Sequence, residues 1–309
     1  MAKEKKQKKS ISYAKWAYIF LIPFFVVYLI FTFYPQLLTF YNSLFENYRV
    51  GLDQIGPNFV GLANYKALFQ KNMAGYIPIF KYLGNTIILW LLGAIPQFTV
   101  AMILALLFTS TRLNIKGQQF FKTVIYLPNM IMAAAFSMLF FALFSEVGPI
   151  NLLLLEYGII DKAIKFCGLK ITVRGLIALM NFLMWFGNTT LLLMAGIQGI
   201  DESLFESARL DGSNARQVFF NITLPLLKPI IIYTFITSMI GGIQMFDVPQ
   251  VLTNKMGTPD NTSTTLIMYL NQFLEVSKNY GMAGALSVLL FIITGILSLF
   301  VYKSMVKKG

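Results

Sequence analysis

Six stretches of this chain are long, apolar and almost free of charge. They cover about 16–40, 85–108, 123–144, 175–197, 226–246 and 281–302, and the only charged residue among them is Lys228, at the start of the fifth. Each is close to the roughly 20 residues a helix needs to cross a bilayer. Lipid offers no hydrogen bonds, so such stretches fold as helices that satisfy their own amides and carbonyls. Composition agrees: the chain is 57% hydrophobic and 12% charged, where soluble domains carry about 25% charged residues. The sequence predicts an all-α, polytopic membrane protein with six transmembrane helices.

Charge orients these helices. With both termini placed in the cytoplasm, the inner segments hold 15 Lys and Arg in 69 residues and the outer segments 10 in 106. Positive charge gathers on the cytoplasmic side of membrane proteins, so both termini read as cytoplasmic and the protein as multi-pass in the cell membrane. The net charge of +12 follows from these flanks. No basic patch with interleaved aromatics lies outside them, which excludes nucleic acid as a partner. The amino-terminal run Lys3, Lys5, Lys6, Lys8, Lys9 and Lys15 reads as a cytoplasmic tail able to touch anionic lipid. The first apolar run is too long for a signal peptide and ends in Tyr34-Pro35-Gln36 with no small-residue cleavage site. The chain divides into a tail (1–16), a first span (17–40), an extracellular loop (41–83), a core (84–302) and a second tail (303–309).

Several chemistries are excluded. There is no histidine, so the commonest general base and metal ligand is missing. Cys167 is the only cysteine, which rules out an internal disulfide. No phosphate-binding Gly-rich loop ending in Gly-Lys-Ser/Thr is present. The chain has no catalytic residues and no metal site, binds no cofactor of its own, and is no enzyme. Acids and bases are also missing from mid-span, where ion-coupled carriers keep one.

Between the fourth and fifth runs lies a polar interruption at 200–225, containing ESARLDGSNARQVFFNITLP from Glu206 to Pro225. Ser203 and Glu206 have capping-box spacing, predicting a short helix over Leu204–Leu210. Gly212 is placed to end it in a left-handed conformation. A second short helix starts at Ser213 or Asn214 and runs to about Asn221. Leu204, Phe205, Ala208, Val218 and Phe219 give this elbow an apolar side. Glu202, Glu206, Arg209, Asp211 and Arg216 give it a charged one. Elsewhere, Asn64–Phe69 and Asn151–Phe166 have the spacing of amphipathic helices, Pro96 is placed to kink the second span, and Pro128 lies in the third.

Two clusters of neutral polar groups sit in the spans: Asn181, Trp185, Asn188, Thr189 and Thr190 in the fourth, and Tyr233, Thr234, Thr237, Ser238, Gly241, Gly242 and Gln244 in the fifth, with Asp247 just beyond. Amides and hydroxyls beside aromatic rings suit a sugar, whose hydroxyls need partners and whose apolar face stacks on a ring. The same residues also suit helix–helix packing, and the sequence leaves both readings open.

The pattern Glu206, Ala208, Gly212, nine residues, Ile222, Leu224, Pro225 resembles the EAA loop of ATP-binding-cassette (ABC) importer permeases, with Ser207 in place of the middle alanine. FVGLANY at 59–65, the LPNM turn at 127–130, and GGIQMFDVPQVLTNKMGTPDNTSTTL at 241–266 extend the likeness to the carbohydrate-importer branch, and to the maltose/glycerol-phosphate "F-like" subunit within it. The resemblance implies a type I importer permease that takes up a sugar or oligosaccharide by alternating access. It implies a second permease as heterodimer partner, two ATPase subunits that hold ATP and Mg, and an extracellular solute-binding protein. Carried over residue by residue, it assigns ATPase coupling to Glu206, Ala208, Arg209, Asp211 and Gly212, and substrate contact to Trp185, Asn188, Gly242, Met245 and Asp247. The alternatives are an ABC importer for glycerol phosphate, a polyamine or a peptide, an ATP-independent channel or carrier, and a membrane scaffold. A cavity lined with acids would indicate a polyamine and one lined with Arg an anion.

Overall fold

The computed structural model describes residues 14–110, 113 and 115–306. The basic residues Lys3–Lys9, Arg112, Lys307 and Lys308 used in the charge count lie outside these. Five helical segments are long and apolar enough to span a membrane: Tyr18–Ser43, Pro78–Thr109, Lys170–Gln198, Ala215–Leu252 and Tyr280–Val306. Counting one bent helix pair, Gln118–Met130 with Ala133–Leu143, as a single span gives a sixth.

The first span comprises α1 (Ala14–Tyr28) and α2 (Tyr34–Ser43), joined by one widened turn, Leu29–Phe33. A hairpin of β1 (Phe45–Val50) and β2 (Asp53–Phe59) follows, then α3 (Ala63–Leu68). The hairpin is absent from the sequence expectation, which left 41–83 a loop apart from the short helix now seen as α3. α4 (Pro78–Thr109) begins seven residues before the predicted start and runs through Pro96 without a break. A connection leads to α5 (Gln118–Met130) and α6 (Ala133–Leu143). After α7 (Pro149–Glu156), the long α8 (Lys170–Gln198) returns through the bundle. The elbow holds α9 (Glu202–Leu210) and α10 (Ala215–Val218), and a widened turn at Phe219–Thr223 continues α10 into α11 (Leu224–Ile243). α12 (Asp247–Leu252), α13 (Leu266–Glu275) and α14 (Tyr280–Val306) complete the chain.

The third span is not one helix. α5 and α6 meet at 91°. Ile131 and Met132 are both extended (ψ 132° and 130°), so the helix cannot continue through them. Just before the break, the Asn129 side-chain amide donates to the Met184 carbonyl at 2.9 Å, tying the end of α5 to α8. The expected interfacial helix over Asn151–Phe166 also stops early, at Glu156. Gly158 turns left-handed (φ +65°), and the amides of Gly158 and Ile159 bond back to Leu155 and Leu154, the usual way a glycine closes a helix. Fully buried Asn151 ties together the loops on both sides of α7, donating to the Ser145 and Ile164 carbonyls and accepting from the Ile164 amide.

Helices in lipid gain little from hydrophobic burial against one another, so close backbone approach and polar bonds decide their packing. Glycines mark the approaches here. A Cβ on Gly187 of α8 would lie 2.0 Å from the Ile125 carbonyl oxygen of α5, and one on Gly284 of α14 would lie 2.9 Å from the backbone of α2. α4 and α8 form the central pair. Leu89, Val173, Ile177 and Met180 are buried between them and α6, with Met245, Val248 and Leu252 closing that cluster. A second cluster joins α4 and α11 to α13 and α14 through Ile79, Tyr82, Met239, Ile243, Leu266 and Leu286. A third lies toward the elbow, with Ala101, Ala105, Leu193, Met194, Ile197 and Leu227. The first span stands apart: α2 packs on α14, but the apolar window of this span has no buried residue.

Candidate functional site

Two features stand out, one midway along the central helices and one at their elbow end. The first is a cavity of about 290 Å³ enclosed by α4, α8 and α11. Its wall includes Trp90, Gly93 and Gln97 from α4, Asn181, Trp185 and Asn188 from α8, Tyr233, Thr237, Ser238 and Gly242 from α11, and Met245 just past its end. The two polar clusters of the fourth and fifth spans therefore face one space. Four of the five predicted substrate residues line it: Trp185, Asn188, Gly242 and Met245. Asp247 does not. It opens α12, past the end of α11, and its side chain is exposed.

The cavity's polarity is neutral. No Lys, Arg, Asp or Glu lines it. Inside, the Gln97 amide donates to the Thr189 hydroxyl at 2.8 Å, a buried bond between α4 and α8. Thr189 donates in turn to the Trp185 carbonyl at 3.0 Å. The Asn181 amide donates to the Ile177 carbonyl at 2.8 Å and lies 3.5 Å from the Met245 sulfur. Two rings remain open to contact: Trp185 is 46% exposed and Tyr233 59%.

Sequence reasoning missed the α4 wall. Trp90 donates its indole N–H to the Ser238 hydroxyl at 3.2 Å and stands edge-on to Phe235, ring centres 5.5 Å apart. It presses on Gly242 so closely that a Cβ there would lie 2.1 Å from the indole Cδ1. That contact explains the glycine. A further bond at this level, from the Thr265 hydroxyl to the Met245 carbonyl at 2.8 Å, fixes the cavity's rim.

The second feature is the elbow. Its helix starts two residues earlier than the capping-box spacing suggests. Asp201, not Ser203, is the cap: its carboxylate accepts from the Ser203 amide at 3.0 Å. A carboxylate is a full acceptor and also suits the positive end of the helix dipole. The bonds from Ser203 hold the Asp201 carboxyl below its usual pKa. At the other end Gly212 is left-handed (φ +74°). Its amide bonds to the Arg209 carbonyl and the Ser213 amide to Ala208, at 3.1 and 2.9 Å, the paired closure expected of a glycine stop. The next helix has a capping box, with Asn214 and Gln217 bonded reciprocally at 2.8 and 2.9 Å.

Of the five predicted coupling residues, Glu206, Arg209, Asp211 and Gly212 lie on the exposed surface of the elbow, and Ala208 is buried against the chain. Leu210, 89% exposed, adds an outward apolar group that the sequence reading did not single out. Phe205, Val218 and Phe219 turn inward and line a cleft of about 480 Å³ between the elbow and the ends of α4 and α8, with Leu106, Ile197 and Ile200. Leu204, expected on the same apolar side, is 43% exposed.

Comparison with known proteins places this architecture. Residues 73–308 match the family described as the binding-protein-dependent transport system inner membrane component. The chain is 30% identical over 283 residues to the lactose transport system permease protein LacF of Rhizobium radiobacter, covering 91% of each chain. It is 31% identical over 295 residues to the arabinooligosaccharides transport system permease protein AraP of Bacillus subtilis, covering 94% of this chain and 89% of that one. Its fold matches a chain in the crystal structure of a bacterial ABC transporter involved in import of the acidic polysaccharide alginate, with a TM-score of 0.79, 21% identity and coverage of 95% and 96%. The chain is thus a multi-pass membrane protein that belongs to the family of binding-protein-dependent ABC importer permeases.

Proposed function

We propose that this chain is one of two permease subunits of an ATP-driven importer for a neutral sugar or oligosaccharide. The observation that carries the substrate class is the cavity between α4, α8 and α11, which combines two exposed rings with amides and hydroxyls and contains no charged side chain. Stacking surface and neutral hydrogen-bonding groups together are what a sugar ring needs. A polyamine would call for acids and a phosphate for Arg or Lys. The names of the relatives, lactose and arabinooligosaccharide permeases, point the same way.

In this reading both termini and the elbow are cytoplasmic and the hairpin end faces outward. The elbow docks on an ATPase subunit through Glu206, Arg209, Asp211 and Gly212, with Ala208 packed beneath them. ATP and Mg bind in that partner. Closure of the two ATPase subunits moves the elbow as a rigid piece, because both of its short helices are capped and the second continues into α11. That motion shifts α8 and α11, which carry the cavity walls, and alternates its access between the two sides. A binding protein delivers the sugar, and a second permease completes the pathway.

The test is ATP hydrolysis by the assembled complex in lipid vesicles, with its binding protein loaded from a panel of lactose, arabinotriose, spermidine and glycerol 3-phosphate. Stimulation by a neutral sugar alone is the expected result. Stimulation by spermidine or glycerol 3-phosphate alone overturns the substrate class.

A further inference from the structure

The stretch that joins α12 to α13, residues 253–265, has an unusual backbone. Asn254, Lys255, Asp260 and Asn261 are all left-handed, with φ of 49°, 67°, 49° and 56°. Residues other than glycine rarely adopt this region, and a run of them persists only where surrounding contacts impose it. The contacts are polar and buried. Thr253, Ser263, Thr264 and Thr265 are each at most 4% exposed. A Cβ on Gly257 would lie 1.9 Å from the Thr264 hydroxyl, so the stretch is also folded tightly on itself.

Side chains of the two central helices tie it to the bundle: Lys81 of α4 donates to the Asp260 carbonyl at 2.9 Å, and Arg174 and Asn85 hold the residues that follow. Arg174, near the start of α8, donates through Nε and Nη2 to the Thr262 carbonyl at 3.0 and 2.8 Å, and through Nη2 to the Asn85 side-chain oxygen at 2.7 Å. Asn85, in α4, then donates its amide to the Asn261 and Thr264 carbonyls at 2.8 and 3.1 Å. Arg174 and Asn85 thus bind one stretch of backbone to both central helices. Among the described residues, ion pairs join Lys165 to Glu146 and Lys255 to Glu275, and Arg174 is in neither. Its partners are neutral oxygens arranged to suit the planar fork of a guanidinium, a shape that lysine's ammonium does not reproduce.

The far end of this stretch reaches the cavity. Thr265 caps α13, accepting from the Met268 amide at 3.3 Å, and donates to the Met245 carbonyl at 2.8 Å. Met245 lines the cavity, with its sulfur 3.5 Å from the Asn181 amide. A continuous set of bonds therefore runs from Arg174 through Asn85 and residues 261–265 to the cavity's rim.

We propose that Arg174 is a positioning residue for transport: its guanidinium holds residues 257–265 in the shape that sets Met245 at the rim of the cavity. The role needs the fork and not only the charge. It rests on the cavity being the substrate pathway, but the bond network that carries it is independent of which solute passes.

The experiment compares R174K, R174M, M245A and the R174M/M245A double variant with the unaltered chain. In the complete transporter in vesicles, uptake of labelled lactose and arabinotriose is measured, with basal ATP hydrolysis as the control. R174K and R174M are each expected to raise the half-saturating concentration about tenfold, with maximal rate and basal hydrolysis nearly unchanged, and the double variant to fall short of the product of the singles, as for neighbours in one network. On the purified full chain, hydrogen exchange is expected to quicken in R174K over residues 257–265 and also at 245–248, and to stay unchanged in the elbow. Multiplicative uptake effects, R174K equal to the unaltered chain, or faster exchange confined to 257–265 would each overturn the proposal. If the unaltered transporter moves neither sugar, the substrate class proposed above fails and the exchange measurement alone decides the role of Arg174. A variant that fails to accumulate, with R174K intact in both measurements, also counts against it, because only bulk would then matter.

Discussion

Gly242 and Trp185 make opposite demands on the cavity. Gly242 is needed for what it lacks. Its absent Cβ leaves room for the Trp90 indole, and the atoms an added methyl would meet lie close to the base of that side chain, at 2.1, 2.4 and 2.8 Å. They cannot swing away as the tip of a flexible chain could. Replacing Gly242 by alanine should therefore displace Trp90, break its bond to Ser238 and reduce uptake at least tenfold, while the amount of inserted protein stays the same. Overpacking of this kind costs about 1–3 kcal/mol. Trp185 contributes surface. Trp185→Ala should raise the half-saturating sugar concentration by about 3–10-fold, the worth of one aromatic stacking contact, and Trp185→Phe should restore much of it. Uptake at a series of sugar concentrations distinguishes the two variants. At this scale the sequence was half legible. Polar residues stood out against an apolar background, so the α8 and α11 walls were found. Trp90 was hidden because a tryptophan inside an apolar run looks like any lipid-facing or core residue, and only its bond to Ser238 marks it. Asp247 misled for the reverse reason: it follows the polar cluster in sequence, but Gln244 ends α11 and the chain turns before reaching it.

Among the elements, the elbow was the most legible and the third span the least. Glycine stops and helix caps are local, so they can be read from neighbours in the chain. Gly212 ends α9 as expected. The start shifted only because Asp201 is an acceptor of the same kind as Ser203 and lies nearer the previous span. Gly212→Val should leave α9 without its left-handed closure, at about 1–2 kcal/mol for forcing an L residue there. No atom lies within 4 Å of the added Cβ, so the whole effect is backbone strain. Loss of uptake with normal membrane insertion is the expected outcome. The cap has a pH signature. Because the folded-state pKa of Asp201 is depressed, its stabilisation is complete above the ordinary carboxyl pKa of about 3.8 and disappears as pH falls through the lower folded value. Protection of the Ser203 and Leu204 amides, taken relative to the intrinsic exchange rate at each pH, should fall only in that acidic range, and Asp201→Asn should flatten the dependence. The break at Ile131–Met132 depends instead on Asn129 meeting α8, a contact 55 residues away in sequence. Hydrophobic pattern carries no trace of it. The β1–β2 hairpin was missed for a related reason: its strands are mixed in polarity and gain their order from pairing with each other and from the bridge of Tyr48 to Asn279.

For the whole molecule, the division of labour follows from what each end contains. One end holds a compact network of buried hydroxyls and amides, the middle a neutral cavity, and the other end a capped elbow of which most charged residues face outward. The first span leaves its apolar face uncovered, as suits contact with lipid or a second permease. Buried Asn151 shows how strongly the polar loops are tied in. Asn151→Ala removes three bonds at once and should lower the thermal midpoint of the purified chain measurably, since each such bond contributes about 0.5–1.5 kcal/mol. Membrane class and span count were legible from length and charge alone. The cavity's shape was not, because it arises where three helices far apart in sequence converge. The central claim is that this pathway moves solute only when work arrives through the elbow from an ATPase. Its most direct test is sugar uptake into vesicles holding the complete transporter and its binding protein, with and without ATP. The account predicts accumulation against a gradient with ATP and none without it, and in the Gly212→Val transporter none in either case. Equal uptake in the absence of nucleotide would contradict it.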